Sequence, residues 1–200
     1  VKDTAIAASP LAICEHARTP FPYFVADHCI EPALESALLD WFEGDAPWQL
    51  VEHDFYEQYE FSLFDACPPE IAEHLVSSDA IGWLTAAIGN HFGVKISRQV
   101  ELVAHKLVPG QRIAIHNDFL DGGETHRLTV QLNRGLDDAD GGFFMLFNSF
   151  DAADIHRILR PVSGTGIGFE IGPESHHAVS RMHGGERYTL VYSFHALPAA

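Results

Sequence analysis

The chain is poor in cysteine and lysine and lacks any long apolar run, and each shortage closes off a class of protein. Cys14, Cys29 and Cys67 are odd in number and show no CxxC spacing, which excludes a disulfide framework and points to free thiols in a reducing, cytoplasmic compartment. Lysine occurs only at Lys2, Lys95 and Lys106, and 12 basic against 28 acidic side chains leave a formal charge of −16. Phosphate backbones and anionic bilayers are bound by basic surface, so neither nucleic acid nor a membrane is an expected partner. No stretch reaches the roughly 18 consecutive apolar residues of a membrane span. The mild run Ala5 to Ile13 is broken by Ser9-Pro10 and has no basic flank beyond Lys2, which makes it a poor signal peptide.

What is present in quantity is apolar side chain and histidine. Hydrophobic residues make up 46% of the 200 positions, enough for one sizeable core in one domain. The 13 histidines exceed what packing requires, and histidine is the commonest metal ligand and acid/base near neutral pH.

Along the chain the character changes once. Pro32 opens a helical stripe of Leu34, Leu38, Trp41 and Phe42 that Gly44 ends. Trp48 to Leu63 alternates aromatic and polar residues as an extended ribbon. A short helix follows Pro68-Pro69, and Ser78 is placed as the cap of a longer one carrying Ile81, Leu84, Ile88 and Phe92, closed by Gly89 or Gly93. From about residue 95 short alternating runs are separated by Pro109-Gly110, Gly141-Gly142, Gly172-Pro173 and Gly184-Gly185. That spacing predicts an antiparallel jelly roll over 95–200, with 1–94 as a helical and aromatic support of the same domain.

The candidate chemistry begins at His116-Asn117-Asp118. In extended backbone, residues i and i+2 share a face, so an imidazole and a carboxylate can converge on one ion. About two such triplets are expected by chance at this composition, so the triplet alone is weak. A histidine pair, His176-His177, opens a later strand, and Arg187 stands ten residues beyond His177.

In VPGQRIAIHND, RLTVQLN, GGFFMLF and HHAVSRMHGGERYTLVYSFH the sequence resembles the iron(II)/2-oxoglutarate-dependent oxygenases, in particular their prolyl-4-hydroxylase-like branch. The resemblance covers Arg98 to Ala196. It implies a mainly β fold with helices, the double-stranded β-helix or cupin-like jelly roll, buttressed by the N-terminal helices. It also implies Fe(II) held by His116, Asp118 and His177, a ligand set that leaves positions open as non-haem iron oxygenases require. The cosubstrates implied are 2-oxoglutarate and O2, with ascorbate supporting activity and succinate and CO2 as products. His177 is chosen over His176 because the ten-residue step to Arg187 and the His-Ala-Val pattern match that register.

Arg187 supplies the always-charged fork that the far carboxylate of 2-oxoglutarate needs, and Thr189 shares its face. Arg127, Thr129, Gln131 and Asn133 share one face of another strand, at a level that lines the cosubstrate pocket in this branch. The branch often has Tyr where this chain has Leu107 and Ile113, and His105 is a candidate substitute. The ribbon Trp48 to Phe61 is read as core completion ahead of a substrate lid, with His53, Asp54 and Glu57 as candidate polar contacts. The presence of Asp118, which halogenating relatives replace, favours C–H hydroxylation. The expected substrate is an amino acid or peptidyl side chain, free or carrier-bound, and neutral or cationic given the acidic exterior. Two other classes stay open: a non-catalytic jelly-roll binding module, and a cupin-like metal enzyme that does not use 2-oxoglutarate.

Overall fold

A computed structural model describes residues 11–198; residues 5–10 of the apolar run near the start lie outside it. Twelve strands and two α-helices are arranged as a curled antiparallel sheet with helices on one face. The strands are β1 (Ala12–Ala17), β2 (Tyr23–Asp27), β3 (Gln49–His53), β4 (Tyr56–Ser62), β5 (Ile96–Leu107) and β6 (Ile113–His116). They continue as β7 (His126–Leu132), β8 (Phe144–Phe147), β9 (Ile155–Leu159), β10 (Gly166–Glu170), β11 (His177–Val179) and β12 (Arg187–Ala196). The spatial order is β1-β2-β10-β7-β12-β5-β4-β6-β11-β8-β9, with β3 paired to β4 alone. The sheet turns at the single pairing of Tyr56 with Ile113, so β6, β11, β8 and β9 face back toward β10, β7 and β12. This is the expected double-stranded β-helix.

The helices form where the sequence predicts them. In α1 (Pro32–Glu43), Pro32 occupies the first turn, where no N–H is needed, and Leu34, Leu38, Leu39 and Phe42 are buried. In α2 (Ser78–Phe92) the cap is Ser77, one residue earlier than predicted: its hydroxyl accepts the Ala80 N–H at 3.2 Å. Gly93 ends the helix at φ 72°, a left-handed position favouring glycine. The segment after Pro69 is a 3₁₀ helix, Glu70–Val76. No helix of the described residues is long and apolar enough to cross a membrane.

Residues 11–94 do more than support the sheet. β2 lies between β1 and β10, and β4 lies between β5 and β6, so strands from the first half are built into the sheet itself. The sequence reading missed β1 and β2. In Tyr23–Asp27, Tyr23, Phe24 and Ala26 are buried and Val25 and Asp27 half-buried, so it lacks the alternation by which a strand is recognised, and the prolines beside it read as connection.

β12 shows how the sheet divides core from cleft. Tyr188, Leu190, Tyr192 and Phe194 enter the core beneath the helices, while Arg187, Thr189, Val191 and Ser193 turn to the opposite face. β7 repeats the division, with Leu128, Val130 and Leu132 in that core and Arg127 and Thr129 on the cleft side. So does β5, with Val100, Leu102 and Ala104 against Glu101, Val103 and His105. Each fully buried aromatic or aliphatic side chain is worth roughly 1.5–3 kcal/mol, so the helix-side face anchors the strands whose other face lines the cleft. A second core of Phe144, Leu146, Ile167, Phe169, Val179 and Met182 fills the space between the two limbs of the sheet.

Candidate active site

β6 and β11 are paired with His116 opposite His177, which places the two imidazole centroids 4.2 Å apart. The carboxylate does not join them by strand alternation, as the sequence reading has it. β6 stops at His116, and Asp118 adopts a left-handed backbone conformation at φ 57°, which folds its side chain back toward the rings. Aspartate is among the few non-glycine residues that tolerate this region. Asp118 Oδ1 lies 3.3 Å from His116 Nε2, and Oδ2 lies 3.1 Å from His177 Nε2.

Both rings are oriented by the main chain. His116 Nδ1 donates to the Ala114 carbonyl at 2.9 Å and His177 Nδ1 to the Ser175 carbonyl at 2.8 Å, leaving each Nε2 lone pair aimed at the carboxylate side. Among the described residues this is the one cluster of three His, Cys, Asp or Glu side chains whose ligand atoms lie within 4.8 Å of one another. Two nitrogens and one oxygen, with tautomers fixed by carbonyls, fit a divalent first-row metal with open positions. Phe55 stacks on His116 at 4.7 Å, and Phe144 and Phe169 lie 5.5 and 4.9 Å from His177.

Charge inside the cluster is tightly held. Burial opposes ionisation of Asp118, but the imidazoles of His116 and His177 beside it, and the Arg127 guanidinium, hold its carboxyl well below the usual range. Arg127 pairs with both Asp118 and Glu124. Burial, with His116 beside it, pushes the His177 imidazole down toward the neutral form a metal requires.

The opposite wall carries a cation without a partner. Arg187 is 3% exposed, its Nε has no hydrogen-bond partner, and no carboxylate of the described residues pairs with it. Burial alone pushes it from 12.5 down to about 10. Its stem is seated by Gly142, where φ is +72° and an added Cβ would lie 3.0 Å from Arg187 Cδ and 2.6 Å from Met182 Sδ. Thr189, one step along the same face, has a buried hydroxyl that is also unpartnered. His116, Asp118, His177, Arg187 and Thr189 line one cleft of about 310 Å³. A narrower cavity of about 80 Å³ between helices and sheet is walled by Leu34, Leu84, Leu128 and Val130 among others and holds no such cluster.

No protein-family model matches the sequence, and no curated protein sequence matches it. Solved structures do match. A Pseudomonas putida prolyl-4-hydroxylase superposes with a TM-score of 0.72 at 19% identity, over 88% of this chain and 93% of that one. The chain shares that structure's fold, the double-stranded β-helix. A Trichoplax adhaerens prolyl hydroxylase, in complex with a hypoxia inducible factor oxygen degradation domain peptide fragment, gives 0.71 at 12% identity, over 86% and 83% of the two chains. A viral collagen prolyl hydroxylase from Paramecium bursaria Chlorella virus-1, in its 2-oxoglutarate complex, gives 0.62 at 18%, over 88% and 96%.

Within this fold, the predicted residues sort themselves. His116, Asp118, His177, Arg187, Thr189, Arg127 and Thr129 all line the cleft. Arg127, however, is committed to Asp118 and Glu124, so it braces the Asp118 carboxylate and is no free anion contact. Gln131 is buried beside Thr129, to whose hydroxyl it donates at 3.3 Å, and does not line the cleft. Asn133 shapes a turn, accepting the Gly135 and Leu136 N–H groups. His176 turns outward, its ring 5.8 Å from Phe150. His105 does open on the cleft, where burial, then Arg127 and Arg187, push its imidazole down to about 3.

The ribbon is a hairpin of β3 and β4 that serves both ends: Trp48 and Phe61 pack in the core, while Phe55 and Tyr56 reach the cleft. His53, Asp54 and Glu57 lie outside the cleft, and Glu57 accepts from Gln111. The sequence reading missed Gln58, Glu60, Glu101, Glu124 and Ser193, all of which line it. For Gln58 and Glu60 the signal was available: they alternate with Tyr59 and Phe61.

Proposed function

We propose that the chain is an Fe(II)- and 2-oxoglutarate-dependent oxygenase that hydroxylates an unactivated C–H of an amino acid or peptidyl side chain, releasing succinate and CO2. The observation that carries the proposal is Arg187. A buried guanidinium without a counter-ion costs several kcal/mol, and here it shares a cleft with a two-histidine, one-carboxylate cluster. A dianion with one end at the metal and the other at Arg187 satisfies both features at once.

His116, Asp118 and His177 would hold the iron, which when bound couples O2 reduction to decarboxylation of the 2-oxo acid and oxidation of the substrate C–H. The protein's own part is positional. The Ala114 and Ser175 carbonyls lock the rings. Arg187 offers parallel N–H donors to the far carboxylate, and the orphaned Thr189 hydroxyl adds another. Phe55, Phe144 and Phe169 keep water from the histidine faces. The structural relative in complex with a peptide supports the peptidyl substrate class, and the relative in complex with 2-oxoglutarate supports the cosubstrate.

Purified protein given Fe(II), ascorbate, O2 and 2-oxoglutarate should form succinate, slowly without substrate and faster with it. Tight metal binding without any succinate would favour a non-catalytic module. Metal-dependent turnover indifferent to 2-oxoglutarate would favour a cupin-like enzyme.

A further inference from the structure

We infer that the substrate bears a cationic group, an ammonium or guanidinium, received by the Glu60 carboxylate and the Gln58 amide oxygen; the inference rests on the oxygenase reading above. The cleft face of the sheet is laid out in rows by strand register. Thr189 pairs with His105, which pairs in turn with Glu60, so Glu60 stands two strands from β12 with His105 between. The cosubstrate end at Arg187 and the acidic end at Glu60 are therefore separate parts of one cleft.

At that end the Gln58 amide oxygen lacks a donor, and the one side-chain hydrogen bond the Glu60 carboxylate accepts comes from Gln58 itself. Gln58 is 2% exposed and gives its Nε2 to Glu60 at 2.8 Å, which fixes the amide orientation and leaves Oε1 with no partner. No lysine or arginine of the described residues pairs with Glu60, and the nearest ring nitrogen is His105 Nε2 at 3.8 Å. With its imidazole pushed down to about 3, His105 stays neutral beside it. A buried carbonyl oxygen and a carboxylate side by side call for a ligand rich in N–H donors, and a charged one makes the stronger bonds.

Charge balance agrees. The cleft is lined by four carboxylates, Glu60, Glu101, Asp118 and Glu124, against two arginines, Arg127 and Arg187. A divalent metal and a dianionic cosubstrate cancel each other, so two negative charges remain for the substrate to meet. The exterior, at −16, steers in the same direction. Val103 and Val191, paired in the next row, give an aliphatic stem an apolar surface to lie on.

The test is calorimetric titration of the protein loaded with Mn(II) and 2-oxoglutarate. The probes are the N-acetyl amides of lysine and arginine and their neutral isosteres, norleucine and citrulline. The cations should bind at least about ten-fold tighter than the isosteres, and Glu60→Gln should erase most of that preference. In the wild type the cation affinity should also fall as salt rises while the isosteres' stays level, a readout that needs no variant. Equal affinities, no cation binding, or a preference untouched by both Glu60→Gln and salt would overturn the inference. Succinate formation by the wild type without substrate separates the two failures: if it persists the oxygenase reading survives alone, and if it is absent both fall.

Discussion

Replacing Arg187 with methionine should make the empty protein more stable and the loaded protein less so. Burial holds the guanidinium at about 10 against an ordinary 12.5. That difference corresponds to roughly 3 kcal/mol of desolvation cost in the empty site. The sign follows from the direction: the folded value is the lower one, so the unfolded chain binds the proton more tightly, and the full cost is carried at every pH below about 10. Methionine keeps an unbranched stem and removes both the charge and the orphaned Nε. For a chain of this size 1 kcal/mol moves Tm by about 2–4 °C. Allowing for some lost packing, the free variant should melt roughly 3–8 °C higher than the wild type. Losing one partner of a buried charge pair costs about 2–5 kcal/mol of binding, or roughly thirty-fold to several thousand-fold in 2-oxoglutarate affinity. Thermal melts with and without Mn(II) and 2-oxoglutarate measure both effects on one instrument. If the free variant melts lower and 2-oxoglutarate still raises its Tm as in the wild type, Arg187 is a structural residue and the cosubstrate assignment is wrong.

Three further outcomes are expected. His177→Ala should abolish Fe(II) or Mn(II) binding by calorimetry while His176→Ala retains most of it; the reverse result would place the ligand in the other register. Gly142→Ala should weaken 2-oxoglutarate binding by about ten-fold or more, because both the positive φ and the contact with Arg187 Cδ displace the guanidinium stem; an unchanged affinity would show that Arg187 is seated otherwise. Burial pushes His126 down to about 4, so its folded value lies below its unfolded one, and the stability it contributes is present above about 6.5 and lost as pH falls toward 4. Urea midpoints across that window should fall more steeply in the wild type than in His126→Asn, and parallel curves would refute the assignment.

Much of this was legible because the relevant signals are local. The stripes of α1 and α2, the Pro-Gly and Gly-Gly turns and the alternation in β12 each need only a short window, and together they locate His116, His177 and Arg187 on strands. Asp118 does lie beside the two histidines, but not by strand alternation: the strand ends two residues before it and a left-handed turn brings it there. Arg127 and Asn133 look equivalent in a period-two strand, yet one braces the Asp118 carboxylate and the other holds a turn. That difference is set by which loops arrive beside them, and no residue of β7 announces it. Gln58 and Glu60 alternate visibly with Tyr59 and Phe61, but that their face is the cleft face is decided by the pairing of β4 with β5, which α2 separates in the chain.

The division of β12 has an evolutionary consequence. Its even-numbered residues from Tyr188 to Phe194 belong to the core and its odd-numbered residues from Arg187 to Ser193 to the cleft. Mutations at alternate letters are therefore judged by different criteria, ligand choice at one set and folding at the other. Such a strand can drift toward new substrates by point substitution without threatening the scaffold. A single-residue insertion or deletion is forbidden to it, because one slip would bury the arginine among the aromatics and turn the tyrosines out into the cleft.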